Sequence, residues 1–365
     1  MHKNFALVKS PDRVLLIIMR YLGDVLLTTP LISSLSQAYK SAKIDVLVFE
    51  NTAGILEGNP DINKIITITN KPTLLEQLYL YKNLLRKYDL AVCTQTGDRP
   101  SIAALIAASN RIGAVPQRDE KSWWKRYFFH GWVEFDNNNT HTVIQHLKLA
   151  AALGIPRHFQ PTPPAKHSYK NPVKEHTNYA IVHPHPKWHY KRWPIERWGD
   201  TGRYLDQLGI QIVLTGSSAA EEINYIQEIH HQLPQNTINL AGKLSLAELS
   251  SLISQAKIFI GPDTGITHLA AATGIPTIAI FGPSNPVKWA PWPYNYQKDS
   301  NPFQKVGSQH VGNIFLIQGS GDCVPCYLEG CEKHRLSYSK CLDTLAFSEI
   351  KQTINQSLNI DTSST

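Results

Sequence analysis

Short continuous apolar runs alternate with amphipathic stretches along nearly the whole chain. Residues 13–19, RVLLIIM, are uninterrupted in their hydrophobicity, as a parallel strand buried on both faces requires. The turn Arg20-Tyr21-Leu22-Gly23-Asp24 follows, and the pattern from 25 through 39 predicts one helix. Residues 44–49, 64–68 and 89–93 read as strands and 74–87 and 97–109 as helices, with a short strand from 111. A helical pattern over 142–153 stops at Gly154. Residues 156–172, rich in Pro, His and Lys, show no period and read as a linker. The alternation then restarts, with strands at 179–183, 211–215 and 237–240 and helices near 198–208, 221–232 and 246–255. A last helix is predicted over 348–358. The expected class is α/β: doubly wound Rossmann-like domains over 1–165 and 173–347, then a C-terminal helix and tail, 348–365. Ligands of such folds sit at the carboxyl ends of the strands.

The stretch 259–292, FIGPDTGITHLAAATGIPTIAIFGPSNPVKWAPW with its flanks, is the most informative. An apolar strand ends at Gly261-Pro262, and Asp263, Thr264 and Gly265 lead into an Ala-rich helix carrying His268. Thr264 or Asp263 can cap that helix, whose free N–H groups favour phosphate. Gly265 lets a ligand approach the backbone, and His268 points back at the same spot. A plain β-α-β unit with a capped helix has the same pattern.

Composition narrows the class. The length of 365 residues suits two ordinary domains, and 42% hydrophobic with 18% charged residues describes a globular chain. A net charge of +7 points to an anionic partner: nucleotide phosphate, anionic lipid or nucleic acid. No apolar run approaches the ~20 residues that span a bilayer. The N-terminal run lacks a small-residue cleavage site and reads as a strand, so a cytoplasmic location is expected.

Three motifs in order, R-Y-L-G-D-V-L-L-T-T-P-L from Arg20, K-R-W-P at 191–194, and D-T-G-I-T-H-L-A-A-A with F-G-P-S-N-P-V-K-W, carry a resemblance. The chain resembles the lipopolysaccharide heptosyltransferases of glycosyltransferase family nine over nearly its whole length. The resemblance implies a GT-B fold, two facing Rossmann-like domains with the acceptor site in the first and the nucleotide-sugar site in the second. It implies inverting, metal-independent transfer of a heptose from an ADP-activated donor to the lipopolysaccharide core, at the cytoplasmic face of the inner membrane. The lack of a D-x-D pair in the sequence agrees with metal independence. Asp24 matches the family's presumed base, although an N-cap aspartate would look alike. Lys191 matches its phosphate-contacting lysine, with Arg192 adding charge. Asp263, Thr264, Gly265 and His268 match its donor-binding turn. Glu222 is a candidate to hold the adenosine ribose, with Glu221 its equal, and Leu244 either lines the adenine pocket or is plain core. The segment 183–187, HPHPK, departs from the small hydroxyl residues of some relatives and puts phosphate contacts there in doubt.

Two features remain. The cluster KSWWKRYFFHGW, 121–132, has Trp123, Trp124, Lys125 and Arg126 arranged to meet an anionic glycolipid or membrane surface, unless it is an aromatic lid on the first domain. Nucleic acid is not expected, because no nucleic-acid fold accompanies these residues. Cys323, Cys326, Cys331 and Cys341 are spaced C-x2-C-x4-C-x9-C, which in a reducing compartment makes a structural zinc a candidate, with His334 as a substitute ligand. Rival readings are a nicotinamide oxidoreductase, disfavoured because no strand runs into G-x-G-x-x-G, a non-catalytic nucleotide-sugar binder, and a sugar-nucleotide epimerase of similar fold. Use of another nucleotide sugar or acceptor within the same family is the nearest alternative.

Overall fold

The computed structural model describes residues 10–117, 122–165 and 171–360. They form two compact units, one of residues up to 165 together with 297–301, the other of the remaining residues.

In the first unit six parallel strands alternate with helices. The strands are β1 (Arg13–Ile18), β2 (Lys43–Phe49), β3 (Lys64–Ile68), β4 (Tyr88–Cys93), β5 (Ala108–Pro116) and β6 (Gly131–Phe135). The helices are α1 (Leu22–Leu26), α2 (Thr29–Ala38), α3 (Leu74–Leu84), α4 (Asp98–Ala107), α5 (Lys125–Phe128) and α6 (Thr142–Ala152). The sheet order is β3-β2-β1-β4-β5-β6, that of a doubly wound Rossmann sheet. The run 13–19 is central and buried, as its continuous hydrophobicity demands, with Leu15 and Ile17 packed among Leu47, Ala91, Ala104 and Phe129. The single helix predicted over 25–39 is two, α1 and α2. Pro30 stands in the first turn of α2, where its missing N–H costs nothing; inside one longer helix it would break the ladder.

The second unit contains β7 (Tyr179–Val182), β8 (Gln211–Leu214), β9 (Ile238–Asn239), β10 (Ile258–Pro262), β11 (Thr277–Phe281), β12 (Gln309–Val311) and β13 (Ile314–Gln318). Its helices are α7 (Ile195–Gln207), α8 (Ala220–His230), α9 (Leu246–Ile253), α10 (Gly265–Thr273), α11 (Pro286–Trp289), α12 (Lys340–Asp343) and α13 (Phe347–Leu358). Read from its β9 edge, the sheet order is β9-β8-β7-β10-β11-β13, the same winding as in the first unit, and β12 adds an antiparallel edge. The core joins Val182, Trp193, Trp198, Ile226, Ile260 and Ile280 to Ile350 and Ile354. Helix α13, read from sequence as a separate tail, is therefore part of this unit. Among the described residues no helix is long and apolar enough to cross a membrane.

In each sheet the winding reverses between two neighbouring strands, β1 and β4 in the first, β7 and β10 in the second. The loops leaving the carboxyl ends of those pairs splay to opposite faces and open a crevice.

Candidate active site

The segments that leave β7 and β10 meet at the crevice of the second unit. Strand β10 pairs with β7, and the His183 N–H donates to the Ile260 carbonyl at 3.0 Å. Just past β10 the Asp263 N–H donates to Ile280 at 3.1 Å, which fixes the turn. Thr264 is the N-cap of α10: its hydroxyl accepts from the Thr267 N–H at 3.3 Å. Gly265 is the first helical residue, and the helix ends on Gly274, whose φ of 88° is open to glycine at no cost. Asp263 is thus left to do something other than capping. Its Oδ2 accepts from the Lys191 Nζ at 2.5 Å. Burial acts to raise the Asp263 pKa, but Lys191, the Ser284 hydroxyl and His268 together outweigh it and hold the carboxyl below its ordinary range. His268, 7% exposed, faces the pair. Burial, with some help from the positive Lys191 and against the pull of Asp263, lowers its pKa to about 4, so the ring is neutral at pH 7. Its Nδ1 is buried and has no hydrogen-bond partner among the described residues. A buried polar atom in that state is costly unless a ligand supplies the partner.

Lys191 ends a 3-10 turn, His189–Lys191, and Arg192 follows it. Arg192 does not stand beside Lys191 as a second free charge. Its Nη2 donates to Glu221 at 2.6 Å and to His185 Nε2 at 2.9 Å, and its guanidinium lies 4.6 Å from the Tyr225 ring centre. Because arginine only donates, His185 Nε2 accepts, and in the neutral ring the proton sits on Nδ1, 3.4 Å from Glu222 Oε2. Glu222 also accepts from the Ser217 N–H at 2.9 Å and hydroxyl at 2.5 Å. Burial pushes its pKa up, but His185, His183 and Ser217 together take it to about 2. The two glutamates are thereby distinguished: Glu222 is the enclosed, oriented carboxylate, and Glu221 is an exposed tether for Arg192. Gly216 makes this possible, since a Cβ there would come within 2.1 Å of Ile226 Cδ1 and 2.9 Å of Glu222 Oε1. Leu244 is half-buried immediately before Ser245, the N-cap of α9.

His183 and His185 are the residues that sequence reasoning undervalued. His183 bonds Thr215 Oγ1 at 3.1 Å, stacks on Phe259, and has its pKa lowered to about 4 by burial. The legible signal was position: both follow the central strand β7 at the point where the sheet reverses.

In the first unit Asp24 lies just past β1, at the matching reversal point. It is the third residue of α1, 9% exposed, with Arg20 Nε 3.6 Å from its Oδ2. The N-cap is Tyr21, without a side-chain cap bond, so Asp24 is not a capping aspartate. Its own carbonyl accepts from Thr28 Oγ1 at 2.8 Å, and that hydroxyl lies 3.0 Å from the buried His146 Nδ1.

The aromatic-basic cluster is only partly a surface. Lys121 lies outside the described residues. Trp123 is exposed and Trp124 half-buried. Lys125, expected on that surface, is instead 2% exposed: its Nζ donates to the Thr96 carbonyl and pairs with Asp98 at 2.8 Å. A buried ammonium needs such partners, and here the protein itself supplies them. Arg126 pairs with Glu134 at 3.1 Å and also donates to Pro116 O at 3.1 Å. The four tail cysteines are free thiols, with Cys323 and Cys331 exposed, Cys326 half-buried and Cys341 buried. Burial, and then the neighbouring Cys326, Cys331 and Cys323, raise the Cys341 thiol to about 11. Among the described residues no group of three or more His, Cys, Asp or Glu side chains is arranged to hold a metal ion.

Known proteins share this architecture. A solved family 9 glycosyltransferase from Veillonella parvula superposes with a TM-score of 0.73 at 18% identity, covering 98% of this chain and 99% of that one. The Escherichia coli heptosyltransferase WaaC, solved with ADP, gives 0.70 at 21% identity, covering 94% and 99%. The α/β architecture is accordingly the GT-B fold. In sequence, the chain is 33% identical over 313 residues to lipopolysaccharide heptosyltransferase 3 of Escherichia coli K12, which spans 80% of this chain and 89% of that protein. Residues 78–315 match the profile described as glycosyltransferase family 9 (heptosyltransferase). The chain belongs to that family and is a glycosyltransferase.

Proposed function

We propose that the protein transfers a heptose from ADP-heptose to the lipopolysaccharide inner core, with inversion and without a metal. The observation that carries this reading is the part-buried Lys191–Asp263 pair at the capped start of α10, beside a neutral His268 whose Nδ1 lacks a partner among the described residues. An ammonium has three donors, so Lys191 keeps Asp263 as its anchor and turns the others toward a diphosphate. The α10 N–H groups favour the same charge, and Glu222 accepts the ribose hydroxyls. The relatives' names and the ADP-bound WaaC support the choice of donor.

Transfer is a displacement at the anomeric carbon. Asp24 takes the proton of the acceptor hydroxyl as its oxygen bonds to that carbon. The bond from the carbon to the diphosphate breaks, and ADP leaves with the electron pair, its charge met by Lys191. Asp24 acts as this base in our reading because it is a carboxylate at a strand-end crevice with no capping duty. The acceptor is met at the cytoplasmic face of the inner membrane, with Trp123 and Trp124 beside Arg126 as candidate contacts.

Incubation with ADP-heptose and core oligosaccharide should give the glycosylated acceptor and free ADP, with the anomeric configuration inverted and the rate unaffected by chelator. A changed nucleotide sugar with no acceptor added would mark an epimerase and end the proposal. A structural zinc would be held by Cys323, Cys326, Cys331 and Cys341, whose thiols neighbour one another. About one metal per purified chain, with chelation lowering Tm, would support it; freely reactive thiols and no metal would end it.

A further inference from the structure

Helix α3 carries more apolar side chains on its outside than on its inside. Only Leu80 and Leu84 are buried among its residues, and beside them a cavity of about 530 Å³ opens, lined by Asp45, Lys64, Thr67 and Lys87 among others. Outward stand Leu74, Leu75 (78% exposed), Leu78 and, at the C-cap, Leu85, with Tyr79 (71% exposed) at the border, where it also edges the cavity. At 100° per residue these five fall within an arc of about 140°, opposite Leu80 and Leu84. Scattered exposed leucines are ordinary, but a contiguous face of them is not.

The charges around this face are mostly of one sign. Lys82 lies within the arc, Lys71 stands before the helix and Arg86 follows it, all three exposed, whereas Lys87 belongs to the cavity side. Of the acids nearby, Glu50 lines the cavity on the inner side, and two others are held by backbone N–H groups. Glu76 closes a capping box, accepting from the Thr73 N–H at 2.7 Å, and Asp89 accepts from the N–H groups of Asp12 and Arg13, each at 2.9 Å. The capping box also stabilises α3 from its own sequence, so the helix does not need its outer face covered in order to form.

We infer that the outer face of α3 is a docking surface for an anionic bilayer, on which the helix lies flat. Its leucines and Tyr79 enter the headgroup–acyl boundary, and its lysines and arginine meet the lipid phosphates. Charge decides between occupants. A second copy would bring the cationic Lys71, Lys82 and Arg86 against a face of the same sign, whereas an anionic surface neutralises them. This surface is independent of the transfer chemistry: no residue of α3 belongs to the proposed site, and docking needs no donor.

The test is flotation of the full chain with phosphatidylglycerol-containing vesicles and with pure phosphatidylcholine vesicles, without nucleotide. The protein should float with the anionic vesicles and be released as salt rises past physiological strength. The double variant L75E/L78E, with helix propensity and Tm kept, should lose about tenfold or more of that partition. K71E/K82E should weaken it while leaving turnover on a soluble core oligosaccharide unchanged. Failure of the wild-type protein to bind anionic vesicles would overturn the inference, as would wild-type binding by L75E/L78E. A dimer of the wild-type chain that L75E/L78E dissociates, without vesicle binding, would make the face a self-interface and equally overturn it. Loss of transfer activity with vesicle binding intact would count against the proposed reaction alone.

Discussion

At the scale of single residues, Asp24 and Lys191 separate chemistry from binding. Asp24→Asn preserves size and leaves the Tyr21 cap untouched, so the fold should survive. It removes the proposed base, and turnover should fall by about 10²–10⁴-fold, while calorimetry should find ADP affinity unchanged, because the nucleotide contacts we propose are all in the other unit. Turnover within a few-fold of wild type would send the search for the base elsewhere. Lys191→Ala should do the opposite, costing about 1–3 kcal/mol of donor affinity. It also strands the buried Asp263 carboxylate, a destabilisation on the order of 3–5 kcal/mol. The double variant K191A/D263N should recover Tm without recovering affinity, and donor binding at wild-type strength in either variant would remove Lys191 from the site. The Asp263–His268 turn was legible because Gly-Pro, a capping threonine and an Ala-rich helix are local signals. The fate of Lys125 was not, since its burial depends on Thr96 and Asp98, which tertiary folding alone brings to it.

At the scale of elements, the loop after β7 together with helices α8 and α10 makes the second unit sensitive to acid. His183 and His268 fold with pKa values of about 4 against an ordinary 6.5. Groups depressed in the folded state bind protons more readily when unfolded, so stability is full above pH 6.5 and falls as pH drops toward 4. Each histidine contributes a slope of up to about 1.36 kcal/mol per pH unit. Glu222, held at about 2 against 4.5, adds a loss in the same direction below pH 4.5. Urea unfolding at pH 7 and pH 5 should show the midpoint falling, and His268→Gln should flatten the dependence. A midpoint independent of pH would mean that these rings are not buried neutral. Element prediction from sequence succeeded for the central strands β1, β7 and β10, whose apolar runs stand in a clear alternation with helical patterns. It missed β13, whose IFLIQ run lies in a loop-rich stretch, and β6, whose Gly131 and Trp132 were read as the end of the aromatic-basic cluster. In both cases pairing with a neighbour, β11 or β5, defines the strand.

At the scale of the whole molecule, two sheets of the same winding each have their own core and their own crevice. If the nucleotide belongs to the second, hydrogen exchange with saturating ADP should slow at β7, β10 and the start of α10 and leave the β1–β2 amides unchanged. At about 100 times Kd the protection available is about 2.7 kcal/mol. Equal slowing in β1 and β2 would place the nucleotide elsewhere.

The short return of 297–301 into the first unit has a consequence for anyone who cuts or recombines the chain. Asn301 Oδ1 accepts the His141 N–H at 2.8 Å, its amide donates to Asn139 O at 2.7 Å, and Asp299 pairs with Arg157 at 2.6 Å. The first unit is therefore not a contiguous piece of sequence. A fragment ending at Ala165, or a chimera spliced there with a foreign second half, loses this strap and leaves the entry to α6 without its amide partner, a defect worth about 1–3 kcal/mol. A circular permutant that keeps 297–301 tethered should escape it, so the modular boundary of this enzyme is set by five residues encoded far downstream of the domain they complete.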